Sequence, residues 1–325
     1  MVRPMETLRL DASNPSDLEC AAELLIAGKL VAIPTETVYG LAARTFVPDV
    51  VAELYRVKGR PQDNPLIVHC ATAKDIERIA IDIPPIAWRL LERFAPGPLT
   101  LILKRHPSVP PIVSAGLPTV AVRIPAPAVT RQLIARVGEP LVAPSANRSG
   151  RPSPTRPEHV LEDLGGQIAA VLDGGPCSIG IESTVLNLTG EPYAIVRPGA
   201  IGAVELSQVV GYEPPIVHHS QDVAPVAPGM KYRHYAPRAP VFLTSTLDAI
   251  PRGALVLTTE PLPNEDYHIR PLSRQTLYDE FRRADREQAP AIYVYLTPLV
   301  LSDEALMNRL EKAAVSSQHA DNFTR

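Results

Sequence analysis

The 325-residue chain is predicted to be an α/β protein of two unequal domains, and three observations carry that expectation. Helix-period and strand-period apolar segments alternate through the first two-thirds, the periodicity stops in a proline-rich stretch at 211–239, and a shorter alternation follows it. Composition agrees: 45% hydrophobic, 21% charged and a mean hydropathy near zero describe a globular chain long enough for two cores. Proline is the outlier, at 36 of 325 residues or about 11% against roughly 5% in typical chains. The prolines are dispersed, which implies many rigid turns and not one disordered tract.

Taken in order, DLECAAELLIA (17–27) has helical apolar spacing, with Ser16 as N-cap and Gly28 as the stop, and KLVAI (29–33) follows as a strand. Further helices are predicted at 49–57, 74–80, 85–94, 128–137 and 157–164. Strands are predicted at 66–69, 99–103, 120–124, 141–143, 168–172, 184–188 and 194–196. Several strand-to-strand connections are too short for a helical crossover, so the first sheet is expected to be mixed. Beyond the linker, VFLTS, ALVLT and AIYVY read as strands, and 273–286 and 303–314 as helices. The expected boundaries are 1–210 for the first domain, 211–239 for a semi-rigid linker and 240–325 for a small C-terminal α/β domain. No internal repeat is visible.

A net charge of −3 excludes a globally basic nucleic-acid binder while leaving local patches open. No apolar run approaches the roughly 18 to 20 residues of a membrane span, and the first residues lack the apolar core of a secretory signal. A cytoplasmic location with no membrane partner is therefore expected. Cys20, Cys70 and Cys177 are widely spaced without a CxxC pair and read as reduced packing residues, and the adjacent His218 and His219 lack a third ligand at metal spacing. No protein-built metal site is expected.

Polar chemistry gathers at strand ends in the first domain. PTETVYG (34–40) places two hydroxyls and a carboxylate at the carboxyl end of a strand, where α/β folds present ligands, although a capped turn would use the same residues. RVKGRPQDNPLIVH (56–69) sets Lys58 and Arg60 on either side of Gly59, with Asn64 and His69 bracketing the next strand. This is either a turn whose backbone approaches an anion or a solvated basic turn. PTVAVR (118–123) puts Thr119, Ala121 and Arg123 on one face of a strand. An arginine in so apolar a strand must meet a carboxylate or phosphate, the protein's own or a ligand's.

APSANRSGRPSPTR (143–156) carries three arginines, four hydroxyls and no acid, and runs into a helix that Thr155 can cap. Those are the makings of a phosphate cradle. GIESTV (180–185) adds Ser183, VRPG (196–199) adds Arg197, and MKYRHYAPR (230–238) is basic and aromatic. Cations segregated in this way in an acidic chain point to a polyanion such as a nucleotide. No GxxxxGK[ST], GxGxxG after a strand, GxSxG, HExxH or kinase signature is present, so the P-loop, dinucleotide, nucleophile-elbow and zinc-protease readings lack support.

In order along the chain, PTETVYGL, KGRPQDNPLIVH, PGPLTLIL, TVAVRIP, APSANRSGRPSPT, GIESTVLNL, VRPGAI and PGMKYRHYAP closely resemble the YrdC-like family of threonylcarbamoyl-adenylate synthases, in its longer form with a C-terminal domain. NRLEKAA (308–314) resembles that family's closing helix. Eight ordered blocks are far more specific than one short pattern. The resemblance implies a YrdC-like twisted mixed sheet with helices, plus a small Rossmann-like C-terminal α/β domain. It implies a nucleotidyltransferase that makes threonylcarbamoyl-adenylate from L-threonine, bicarbonate and ATP, releasing pyrophosphate, with magnesium accompanying ATP. The product would pass to a downstream tRNA-modifying threonylcarbamoyl transferase, so that any contact with tRNA is indirect.

By position in the matching motifs, the resemblance assigns threonine binding to Thr35, His69, Arg123 and Ser183. It assigns ATP binding to Lys58, Arg60, Asn64, Thr119, Ser145, Asn147, Ser153 and Arg197, with Lys58 and Arg60 also stabilising charge in catalysis. Linker residues Tyr232 and Tyr235 would close over the nucleotide. Ala143 stands where many relatives have threonine. Two other expectations compete. A non-catalytic RNA-binding module in the same basic cleft would show salt-sensitive RNA binding without pyrophosphate release. A carbamoyl-transfer module like that of hydrogenase-maturation proteins is disfavoured by the lack of CxxC pairs and of room for its further domains.

Overall fold

The computed structural model describes residues 6–217, 235–262 and 266–315. The chain divides into two compact units, Met1–Ser149 with Ser153–Lys231, and Gly150–Pro152 with Tyr232–Arg325. In the first unit the elements run β1 (Leu8–Asp11), α1 (Pro15–Ile26), β2 (Val31–Ile33), β3 (Gly40–Arg44), α2 (Pro48–Lys58), β4 (Ile67–His69), β5 (Ala80–Ile81), α3 (Pro85–Phe94), β6 (Leu99–Arg105) and β7 (Thr119–Arg123). There follow α4 (Ala128–Val137), β8 (Leu141–Val142), α5 (Pro157–Leu164), β9 (Ala170–Asp173), β10 (Thr184–Asn187), β11 (Ala194–Arg197) and α6 (Ala203–Val210).

Local chemistry accounts for the element ends. Asn14, and not the expected Ser16, caps α1: its side chain accepts from the Ser16 amide at 3.0 Å, and Pro15 supplies the preset φ of the first turn. α2 ends at Gly59, whose φ of +60° is a left-handed stop that favours glycine. The segment expected as a helix at 74–80 is a 3₁₀ turn, Ala73–Arg78, boxed by Thr72 and Asp75 and followed at once by β5. Thr155 does not cap α5. Arg156 holds the cap position without a side-chain bond, and Thr155 Oγ1 lies 3.4 Å from His159 Nδ1.

The sheet is mixed, in the order β1-β9-β2-β3-β8-β4-β7-β6-β10-β11, with β5 added beside β6. β4 runs parallel to β7 and β10 parallel to β6, while β6 and β7, and β10 and β11, are antiparallel. Alternate residues divide the faces. Val68, Val122, Leu101 and Leu186 enter the main core with α2, α3 and α6. A second core joins α1 and α4 to β2 and β9. On the face opposite the main core, Ile67, Ala121, Ile102, Val185 and Val196 form a small separate apolar cluster, and that face carries the polar residues described below.

The second unit contains β12 (Val241–Thr244), β13 (Leu255–Thr258), β14 (His268–Pro271), α7 (Leu277–Arg286), β15 (Ile292–Tyr295), α8 (Pro298–Ser302) and α9 (Glu304–Ala313). Its four strands are all parallel, in the order β12-β15-β13-β14, as in a small Rossmann-like sheet. Gly150–Pro152 belong to this unit although the sequence placed them in the first domain. Arg282, almost fully buried, donates to the Pro152 carbonyl at 2.5 Å, and Arg151 lies 3.8 Å from Asp285. Among the described residues, no helix is long and apolar enough to cross a membrane.

Candidate active site at the strand ends of the first unit

Strand register assembles the site. His69 on β4 is paired with Arg123 on β7, Arg123 with Thr100 on β6, Thr100 with Val185 on β10, and Val185 with Arg197 on β11. Laterally paired residues project to the same face, so His69, Arg123, Thr100 and Arg197 form one row, joined by Ser183, two residues before Val185. Segments far apart in sequence thus converge on one face above the small apolar cluster.

Arg123 is 4% exposed and meets the protein's own carboxylate: Nη2 lies 2.7 Å from Glu36 Oε1. Its Nη1 donates to Thr37 Oγ1 at 2.8 Å and its Nε to the Gly97 carbonyl at 3.2 Å. Thr35, expected to bind threonine, turns its hydroxyl inward. It donates to the Val38 carbonyl at 2.6 Å and accepts from the amides of Thr37 and Val38, closing the turn between β2 and β3. Thr37 connects that turn to the arginine. His69 is buried beside Arg123, and burial first, then repulsion from Arg123, brings its pKa down to about 3, so the imidazole is neutral. Cys177 stands nearby; burial first and then Glu36 push its thiol up to about 12, which leaves it inert near neutral pH.

At the other end of the row, Arg197 Nη2 donates to Ser183 Oγ at 2.9 Å and Nε to the Ser183 carbonyl at 3.0 Å, while Ser183 Oγ lies 2.8 Å from Thr100 Oγ1. Glycine at 199 permits this: a Cβ there would lie 2.2 Å from the Thr184 nitrogen. Ser153 Oγ donates to Glu182 at 2.5 Å.

The Lys58 side builds a third group. Lys58 is 2% exposed, and its Nζ donates to the carbonyls of Ser145 and Asn147, in the turn after β8. Burial and then Arg60 push its ammonium well below the ordinary lysine value, against the pull of Asp163. Arg60 folds back onto the carbonyls of Asn64 and Pro65, at 3.1 and 2.8 Å. The Asn64 carbonyl also accepts from Tyr55, whereas both atoms of the Asn64 carboxamide are buried without a hydrogen-bond partner. Such an orphaned buried group requires an explanation, and a polar ligand is one.

Thr119, at the opposite end of β7, pairs with Lys104 and stands four residues along the strand from Arg123, away from the row. Tyr232 lies outside the described residues. Tyr235 packs inside the second unit and is 5% exposed, its ring centroid 5.6 Å from that of Tyr278 and 5.6 Å from the Arg309 guanidinium. Thr100 and Glu182 were not singled out from the sequence, and Glu36 and Thr37 entered only as members of the PTETVYG segment. The signal was there: a lone acid in PTETVYG, a lone acid in GIESTV and a lone hydroxyl in the apolar run LTLIL.

Two hollows of about 680 and 800 Å³ lie in the second unit, one beside the stacked Phe242 and Tyr293, the other between β14 and α7. Neither is lined by a predicted site residue, so side-chain chemistry and not the size of a hollow places the site.

The mixed sheet that gathers buried Arg123 and Arg197 in one row has the YrdC-like fold. The Sua5/YciO/YrdC family model, described as "Telomere recombination", matches residues 23–199, and the model described as "Threonylcarbamoyl-AMP synthase, C-terminal domain" matches residues 201–315. The chain belongs to the Sua5/YciO/YrdC family. It is 41% identical to the threonylcarbamoyl-AMP synthase of Bacillus subtilis, over 93% of this chain and 94% of that protein. It is 48% identical to that of Pyrococcus abyssi over 70% of this chain and 67% of that protein. The crystal structure of P. abyssi Sua5 complexed with L-threonine superposes with a TM-score of 0.87 at 36% identity, covering 95% of this chain and 97% of that one.

Proposed function

We propose that this chain is an L-threonylcarbamoyladenylate synthase, a nucleotidyltransferase that converts L-threonine, bicarbonate and ATP to threonylcarbamoyl-AMP and pyrophosphate. The observation that carries this is a set of buried cations: Arg123 and Arg197 in the strand row and Lys58 at the end of α2 are each at most 4% exposed, and the Asn64 carboxamide is buried without a hydrogen-bond partner. Charges so deeply placed suit small anions that enter a cleft, not the extended phosphate backbone of an RNA. The L-threonine bound by P. abyssi Sua5 and the threonylcarbamoyl-AMP synthase names of the two relatives support the same substrate.

In the proposed reaction the threonine ammonium and bicarbonate give the N-carboxylate, water and a proton. A carboxylate oxygen then attacks the α-phosphorus of ATP, and the bond to the β-phosphate oxygen breaks to release pyrophosphate. Both partners are anions, so positioning and charge screening are the catalytic task. Arg123 takes the threonine carboxylate, with Ser183 and neutral His69 at its sides. Lys58 and Arg60 neutralise the phosphates and the leaving group, and Asn64, Thr119, Ser145, Asn147, Ser153 and Arg197 serve ATP.

Magnesium enters with the nucleotide as part of the substrate. Among the described residues no group of three or more His, Cys, Asp or Glu is placed to hold a metal, and the site's carboxylates Glu36 and Glu182 already face Arg123 and Ser153. The proposal also covers the division into a catalytic domain (1–210), a linker (211–239) and a C-terminal domain (240–325), a cytoplasmic location, and delivery of the product to a tRNA-modifying transferase. The test is ATP-dependent pyrophosphate release, measured with and without threonine and bicarbonate. Release that ignores threonine overturns the assignment.

A further inference from the structure

The tip of the loop 145–153 is held by a different part of the protein from its flanks. Gly150–Pro152 belong to the second unit, whereas Ser149 before them and Ser153 after them belong to the first. On the leading flank, Lys58 Nζ donates to the Ser145 and Asn147 carbonyls, and the Ser149 amide donates to the Lys58 carbonyl at 2.9 Å. At the tip, the Ala236 amide donates to the Gly150 carbonyl at 3.1 Å, and Arg282 Nη2 donates to the Pro152 carbonyl at 2.5 Å. Arg151 Nη2 lies 3.8 Å from Asp285 Oδ2, while Asp285 Oδ1 accepts from the amides of Arg238 and Ala239, at 2.7 and 3.2 Å. Arg282 and Asp285 are three residues apart on α7 and so share one face of it.

These contacts have no part in the chemistry above, yet they fix backbone that the chemistry uses. The carbonyl oxygen of Pro152 and the nitrogen of Ser153 lie in one rigid peptide plane, so the hold of Arg282 on the one sets the direction in which the other leaves. Ser153 follows at once, and Asn147 stands three residues before Gly150; both serve ATP in the proposed reaction. The bond to Pro152 is charge-assisted and, with Arg282 only 1% exposed, largely free of competition from water. We propose that this face of α7 is the positioning element of the nucleotide loop: Arg282, with Asp285 beside it, acts through Gly150–Pro152 on Ser153 and Asn147, and so sets the affinity for ATP. This rests on the ATP assignment above and gives α7 of the C-terminal unit a part in it.

Steady-state pyrophosphate release by the full chain, varied in ATP and separately in threonine, tests this. Arg282→Met keeps the length of the side chain and removes its donors. Its KM for ATP is expected to rise about tenfold, the size of one charge-assisted hydrogen bond, while its KM for threonine stays within about twofold of the parent's. Arg282→Lys, which keeps a charged donor, is expected to recover most of that loss. A residue that only stabilised the fold would lower the amount of active enzyme, and so kcat alone; that result overturns the proposal, as does an equal rise in both KM values. Amide hydrogen exchange of the parent, followed by NMR, needs no variant to fold. Linkage is reciprocal, so saturating ATP is expected to slow exchange of the Ala236 amide, which holds the Gly150 carbonyl, by at least about tenfold. Unchanged exchange there, in a parent whose pyrophosphate release depends on threonine, overturns the positioning role and leaves the function standing. A parent that releases no pyrophosphate overturns the functional assignment itself, and the positioning role with it.

Discussion

His69 makes the fold of the first unit acid-sensitive in a way that can be isolated. The unfolded chain binds a proton on this imidazole near pH 6.5, whereas burial and Arg123 hold it off until about pH 3 in the folded state. Between those values the unfolded state carries the extra proton, so stability present above pH 6.5 is lost as the pH falls, at up to about 1.4 kcal/mol per pH unit. From pH 6.5 to 4.5 that one side chain is expected to cost about 2 kcal/mol. Urea unfolding followed by fluorescence is the assay, because the chain has a single tryptophan, Trp88, on α3 against the main core of the first unit. His69→Gln should show a flatter loss of stability with acid than the parent, the difference reaching about 2 kcal/mol at pH 4.5 whatever its stability at neutral pH. Other carboxylates titrate in both proteins and cancel in the difference. Parallel curves for parent and variant would refute the buried, neutral imidazole.

Two substitutions separate binding from stability. Asn64→Leu removes a buried carboxamide that has no partner, so urea unfolding should show a gain of about 1 kcal/mol while the KM for ATP rises about tenfold. Lys58→Met keeps the length of the side chain and removes the buried ammonium. Pyrophosphate release is expected to fall at least about a hundredfold, with stability changed by no more than about 2 kcal/mol because the lost carbonyl contacts and the relieved burial of charge oppose each other.

Elements bounded by strong local chemistry were legible in the sequence. Proline at the first turn marks α3 and α5, and glycine in the left-handed region ends α2 and α4. β3, GLAAR, carries no strand signal of its own; β2 and β8 pair with it on either side and make it a strand. β14, HIRP, escaped for the same reason, as a mostly exposed edge strand without alternation. Nothing in the basic, aromatic linker sequence announces that the Tyr235 ring packs by Tyr278 and the Arg309 guanidinium.

The sequence by itself determined the class of fold and the charges: Arg123 and Arg197 stand out because cations at the ends of apolar strands have few inexpensive explanations, and Lys58 and Arg60 because they flank a glycine turn. Only the tertiary structure decided what those charges face. Arg123 and Thr37 are 86 residues apart and Thr100 and Ser183 are 83 apart, and no local pattern joins them. Sheet order and register do, because hydrogen-bonded strands bring distant residues to the same row and face. Glu36 was one acid in a turn until β4, β7 and that turn set it beside Arg123.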